Sequence, residues 1–139
     1  MKLIQVTDLH LGPQGQSRLG SNPHERLAAR IAHINRSHSD AELCILTGDL
    51  ADRGELAAYE DLRSLLQALS VPYTLLLGNH DRRAAFGMAF PDAAVSAGGF
   101  VQSVRDVQEQ GRLVVHEQDF VTGWARYDLG MGQLLDAPA

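Results

Sequence analysis

At 139 residues, 45% of them apolar and 21% charged, the chain has the make-up of one ordinary globular domain that can bury a core without disulfides, which excludes a disordered or fibrous polypeptide. Twelve Lys and Arg against seventeen Asp and Glu give a net charge of −5 with no basic block, so bulk nucleic-acid binding is not expected. The apolar runs are strand-sized and no positively charged leader precedes one, so no membrane span is expected and the location implied is cytoplasmic. The single cysteine, Cys44, lies inside an apolar run and reads as a small buried hydrophobe.

In chain order, Lys2 to Thr7 carries Leu3, Ile4 and Val6 and starts a sheet. Gly12, Pro13, Gly15 and Gly20 make the following stretch a loop, placed to border a ligand site. Asn22, Pro23 and Glu25 occupy the N-cap, first and third positions of a helix. Leu27, Ile31 and Ile34 then recur at helical spacing, which predicts a helix over about Pro23 to Arg36 with one face on a sheet. Glu42 to Thr47 is nearly continuous in apolar residues, the mark of a parallel strand covered on both faces. From Glu55, the residues Tyr59, Leu62, Leu65, Leu66 and Leu69 line one helical face, and Pro72 precedes a third strand, Tyr73 to Leu77.

Strand, helix, strand, helix, strand is the pattern of two crossover units, which give a parallel sheet of the α/β class, βαβαβ. Farther on, Arg82 to Phe90 reads as a short helix closed by Pro91, and Phe100 to Val104 with Arg112 to Val115 as a hairpin. The tail from Phe120 to Ala139 reads as a loop with one helical turn at most.

Each of the three strands ends in chemistry. The first runs into Asp8 and His10, the second into Gly48 and Asp49, and the third into Asn79, His80 and Asp81. All three endings fall at the carboxyl edge of the sheet, where open parallel sheets bind ligands. Carboxylate, imidazole and amide oxygens suit Mn, Fe, Zn or Mg, and the absence of thiolates nearby argues against a zinc ribbon. Asp49 is the natural bridge between two ions, because its strand is expected between the other two.

The combination of DLH at Asp8 to His10, GD at Gly48 and Asp49, and GNHD at Gly78 to Asp81 resembles the calcineurin-like metallophosphoesterases. TGDLADRGE at Thr47 to Glu55, GNHDRRAAF at Gly78 to Phe86 and GFVQ at Gly99 to Gln102 resemble, within that family, the bacterial cyclic-nucleotide and glycerophosphodiester phosphodiesterases. The resemblance covers roughly the first hundred residues. It implies two divalent metal ions, with Asp8 and His10 on the first, Asp49 bridging, and Asn79 on the second. It further implies a phosphate ester or phosphodiester substrate attacked at phosphorus by a metal-bound hydroxide. His80 is then the catalytic group that contacts the phosphate and assists the leaving group, and Asp81 the partner that orients its imidazole.

Members of that family go on to a further histidine and a GHxH motif, whereas here no histidine follows His116 and no Gly-His pair occurs. The chain is therefore expected to be a single, truncated domain, residues 1 to 139, corresponding to the front half of a four-layered α/β/β/α sandwich and lacking most of one sheet. His116, at the end of a strand-like run, is a candidate stand-in for a missing ligand, beside the plainer role of a core or surface histidine. Two functions stay open at this point: a metal-dependent phosphodiesterase, or an inactive relative that keeps a partial metal- or phosphate-binding edge. Exposed strand edges in a half-sandwich lead to an expectation of self-association. His24, His33 and His38 lie on or near the first helix and are expected to be solvated or capping.

Overall fold

Three strands, β1 (Leu3–Val6), β2 (Leu43–Thr47) and β3 (Tyr73–Leu76), pair in parallel in the order β1-β2-β3, with Leu3 opposite Leu43 and Leu46 opposite Leu75. The computed structural model describes residues 2–17, 20–93, 95 and 101, together with the course and pairing of strands at 102–107, 111–119 and 124–128. As expected from its composition, β2 is the central strand of this sheet. Its first four residues are all buried.

Helix α1 (Pro23–Ser37) starts as the capping residues predict: Asn22 is extended, and its Oδ1 accepts the His24 N–H at 3.0 Å. Pro23 stands first because its missing N–H is one that no helix could satisfy there. Helix α2 (Leu56–Leu66) stops one turn earlier than its apolar stripe suggests. The N–H groups of Gln67, Ala68 and Leu69 turn back to carbonyls three residues earlier, and Asn35 of α1 takes the Ala68 carbonyl at 2.6 Å. The same Asn35 accepts the Ser70 N–H at 2.8 Å, so one side chain of α1 ends α2 and starts the turn toward β3. A short α3 (Arg83–Ala89) follows the third strand.

Leu27, Ile31 and Ile34 of α1, Tyr59, Leu62 and Leu66 of α2, and Phe86 of α3 share one core cluster with Cys44 and Leu46 of β2. The helices thus cover the same face of the sheet, as expected when two crossovers of one hand step across a sheet in a single direction. Leu43, Ile45 and Leu76 are buried as well but lie outside that cluster, at the alternate positions of their strands. β2 and the end of β3 are therefore covered on both faces, whereas Gln5 of β1 is exposed.

A second sheet of three strands follows the parallel one. β4 (Gln102–Val107), β5 (Gly111–Asp119) and β6 (Trp124–Asp128) pair antiparallel in that order. The predicted hairpin is present, with Val104 opposite Val114, but its second strand is longer and a third is added where the tail was expected to be a loop. Antiparallel strands need only short local connections, so three of them fit into fewer than thirty residues, roughly. His116 lies in β5 opposite Gln102; its side chain, those of Trp124 and Tyr127, and residues 129–139 lie outside the described residues. Among the described residues no helix is long and apolar enough to cross a membrane.

Candidate metal centre

The site is built where β1 and β2 run past the sheet and turn. Asp8, His10 and Asp49 all have positive φ, at 56°, 48° and 49°, and Gly48 between them has φ 96°. L-residues visit this region rarely, and aspartate tolerates it better than histidine. Such backbone persists only where the surroundings enforce it, and here the two endings are laced together. Asp8 N–H donates to the Gly48 carbonyl at 3.2 Å, His10 N–H to the Asp49 carbonyl at 2.9 Å, and Leu11 N–H to the Leu50 carbonyl at 3.0 Å.

The ending of β3 comes just as close. A Cβ on Gly48 would lie 2.9 Å from the Cα and N of Gly78, and a Cβ on Gly78 would run into the Asp49 carboxylate and N. Two glycines face to face are what allow Asp49 Oδ1 to accept the His80 N–H, at 3.1 Å.

Ligand atoms of His10, Asp49 and His80 consequently lie within 4.8 Å of one another. His10 Nε2 is 3.9 Å from Asp49 Oδ2 and 3.7 Å from Asp8 Oδ1, and the two imidazole rings meet edge to face at 4.8 Å. Asp8 is mainly exposed, with Oδ2 accepting the Thr7 hydroxyl at 2.8 Å. Asn79 is exposed at the same ending of β3, next to His80. Of the five residues singled out in the sequence, four therefore make contacts within one group, and Asn79 adjoins it along the chain. Carboxylates and imidazoles converging at this range form a donor set that fits a hard or borderline divalent ion.

Two neighbours of this group have roles the sequence did not disclose. Asp52 sits under both imidazoles: its Oδ1 is 3.4 Å from His10 Nδ1, and its backbone carbonyl accepts from His80 Nδ1 at 2.8 Å. A carbonyl only accepts, so the proton of neutral His80 is on Nδ1 and Nε2 is left for a ligand or substrate. In the sequence Asp52 stands out only as a member of the TGDLADRGE stretch, with no role of its own.

Asp81 was expected to orient His80, and here the structure differs. Its carboxylate is 1% exposed and turns into the core, where Oδ2 accepts the N–H groups of Leu50 and Gly78 at 3.1 and 2.8 Å. Oδ1 accepts the Ala51 N–H and the Tyr59 hydroxyl, both at 2.9 Å. Burial pushes the Asp81 carboxyl above the usual carboxylate range, and the N–H donations of Gly78, Ala51 and Leu50 pull it part of the way back. Tyr59 completes the link by accepting the Arg82 N–H at 2.9 Å. Burial, then the nearby Asp81 carboxylate, raises its phenol above the ordinary value. His24 is likewise more than a solvated helix residue, since its Nε2 meets Asp61 Oδ2 at 3.1 Å and ties α1 to α2.

Comparison with known proteins decides the lineage. The model of the calcineurin-like phosphoesterase family matches residues 1–134. The chain belongs to that family. Its parallel sheet with helices agrees with the front half of the metallophosphoesterase fold. A probable cyclic nucleotide phosphodiesterase of Rhodopseudomonas palustris is 47% identical over 105 residues, 76% of this chain and 38% of that protein. The 3',5'-cyclic adenosine monophosphate phosphodiesterase of Escherichia coli K12 is 33% identical over 97 residues, 69% of this chain and 35% of that enzyme. A probable glycerophosphodiester phosphodiesterase of Arcobacter nitrofigilis is 33% identical over 82 residues, 58% and 30% of the two chains. The chain thus spans about a third of the length of these relatives.

Proposed function

We propose that the chain is a metal-dependent phosphodiesterase that acts at the carboxyl edge of the parallel sheet. The observation that carries this is the convergence of His10, Asp49 and His80 from the ends of three adjacent strands, with ligand atoms within 4.8 Å of one another. Asp8 and His10 would hold one divalent ion, Asn79 would contribute to a second, and Asp49 would be shared between them. The central position of β2 supports Asp49 as the bridge. When bound, such ions supply Lewis acidity toward phosphoryl oxygens and a water made acidic enough to act as nucleophile.

The chain's own residues then do three things. The laced endings hold their ligands in place before any ion arrives, which lowers the cost of ordering them. Asp52 places its carboxylate 3.4 Å from His10 Nδ1, and through its carbonyl selects the His80 tautomer. His80, 38% exposed at the rim, offers Nε2 to the phosphoryl group, and when doubly protonated passes a proton from that atom to the leaving alkoxide. The names of the relatives support cyclic nucleotides or glycerophosphodiesters as the substrate class. Among the described residues β1 pairs with a strand on one side only, which supports self-association as a further part of the proposal, and a monomer at all concentrations in light scattering contradicts that part alone.

Turnover of bis(p-nitrophenyl) phosphate with added Mn²⁺, compared with Asp49→Ala, tests the activity. Hydrolysis that depends on Mn²⁺ and vanishes in the variant is expected. Equal rates in the two proteins contradict it.

A further inference from the structure

In the sequence Tyr59 is one member of the apolar stripe of α2, yet it brings a hydroxyl into the core, where the whole residue is buried. That hydroxyl accepts the Arg82 N–H at 2.9 Å and donates to Asp81 Oδ1 at 2.9 Å. A phenol has one proton, and here it is committed to the carboxylate, because the Arg82 N–H can only donate. Burial raises the phenol above its ordinary value, so near neutral pH the donor keeps its proton. The ring meets Phe86 of α3 edge to face at 5.7 Å.

The consequence lies at Asp81. Its carboxylate takes four donors, and three of them are N–H groups of the strand endings themselves: Leu50 and Ala51, directly after Asp49, and Gly78, directly before Asn79. The Tyr59 hydroxyl is the fourth, and it comes from a helix. Through its two bonds it grips Asp81 and Arg82, the residues that follow His80. The short turn bearing Asn79 and His80 is thus held at Gly78 on one side and at Asp81 and Arg82 on the other, and the joint between the endings is tied to α2 through one oxygen.

We infer that Tyr59 is a positioning residue for the metal centre: its hydroxyl, acting through Asp81 and the Arg82 N–H, holds the endings of β2 and β3 at the separation at which Asp49, Asn79 and His80 serve one site. Such a constellation works only when its members stay within roughly 0.5 Å of the productive geometry, which their own backbone bonds do not guarantee. The inference rests on the metal centre proposed above and adds to it a helix residue that supplies no ligand.

The test compares Mn²⁺ titrations of the natural protein, Tyr59→Phe and Leu66→Val, at a temperature where circular dichroism shows all three folded. Leu66→Val is a core substitution in the same helix that removes no hydrogen bond, so it controls for lost stability. Both variants are expected to melt below the natural protein. Mn²⁺ affinity is expected to fall about tenfold in Tyr59→Phe and to stay within about twofold in Leu66→Val. In the metal-free protein, the amide protons of Leu50, Ala51 and Gly78 are expected to exchange with solvent at least about tenfold faster in Tyr59→Phe than in Leu66→Val. Full Mn²⁺ affinity in Tyr59→Phe overturns the inference and leaves the metal centre standing. So does an equal loss of affinity in the two variants, which is a general effect of stability, and so does equal exchange of the three amides. A natural protein that takes up no Mn²⁺ removes the metal centre itself and the positioning role with it, whatever the exchange rates.

Discussion

The backbone carbonyl of Asp52 accepts from Nδ1 of His80 at 2.8 Å, while the carboxylate of the same residue lies 3.4 Å from Nδ1 of His10. One residue therefore adjoins both imidazoles, by two different groups, and hydrogen-bonds to that of His80. Replacing its side chain removes only the second contact. Asp52→Ala is expected to weaken Mn²⁺ binding by about tenfold to a hundredfold, the usual effect of losing a group that orients a metal-bound histidine. Calorimetry measures it, and unchanged affinity argues that His10 needs no such support.

Asp81 joins the endings of β2 and β3 by accepting from Leu50, Ala51, Gly78 and Tyr59. Asp81→Ala strands these donors in the core, and a loss of about 3–5 kcal/mol is expected, as when one member of a buried charged network is removed. Tyr59→Phe, which removes one donor and leaves the Arg82 N–H unmet, is expected to cost about 1–2 kcal/mol. Urea denaturation gives both values, and the two costs in reverse order contradict the network.

Gly78→Ala places a methyl group against the Asp49 carboxylate. The strands must part, at about 1–3 kcal/mol for an overpacked position. Asp49 moves with them, so this substitution should reduce Mn²⁺ affinity together with the melting temperature, although residue 78 carries no ligand. A melting shift with full metal affinity shows that the close approach is structural only.

Cys44 is 1% exposed in the central strand, and burial pushes its thiol up to about 11. It should resist an aromatic disulfide reagent at pH 8 for as long as the protein is folded, and react at once in denaturant. Rapid reaction of the native protein contradicts a β2 covered on both faces.

These features differ in how far the sequence discloses them. The three strand endings are legible because each follows an apolar run and carries a ligand-type side chain within a few residues, Asp8, Asp49 and His80 among them. The crossover pattern makes the strands parallel, and the nearly continuous apolar run of β2 agrees with its place in the middle. Side-chain direction is not legible in that way. Asp81 follows His80 in the chain, yet the turn closed by its N–H to the Gly78 carbonyl at 3.3 Å sends its carboxylate inward while His80 stays at the rim. Nor does β6 show a strand-like alternation, because Trp124 and Tyr127 are three residues apart rather than two. Asp52 gives no periodic signal at all, since a loop residue acts through its position in space.

The central claim is that the endings of β1, β2 and β3 form one divalent-metal centre organised by Asp49. Titration of the full chain with Mn²⁺, followed by the paramagnetic resonance signal of the free ion, tests this most directly when the natural protein and Asp49→Ala are compared. Uptake of Mn²⁺ by the natural protein, with affinity in the variant lower by at least about a hundredfold, is the predicted result. Superimposable titrations contradict it.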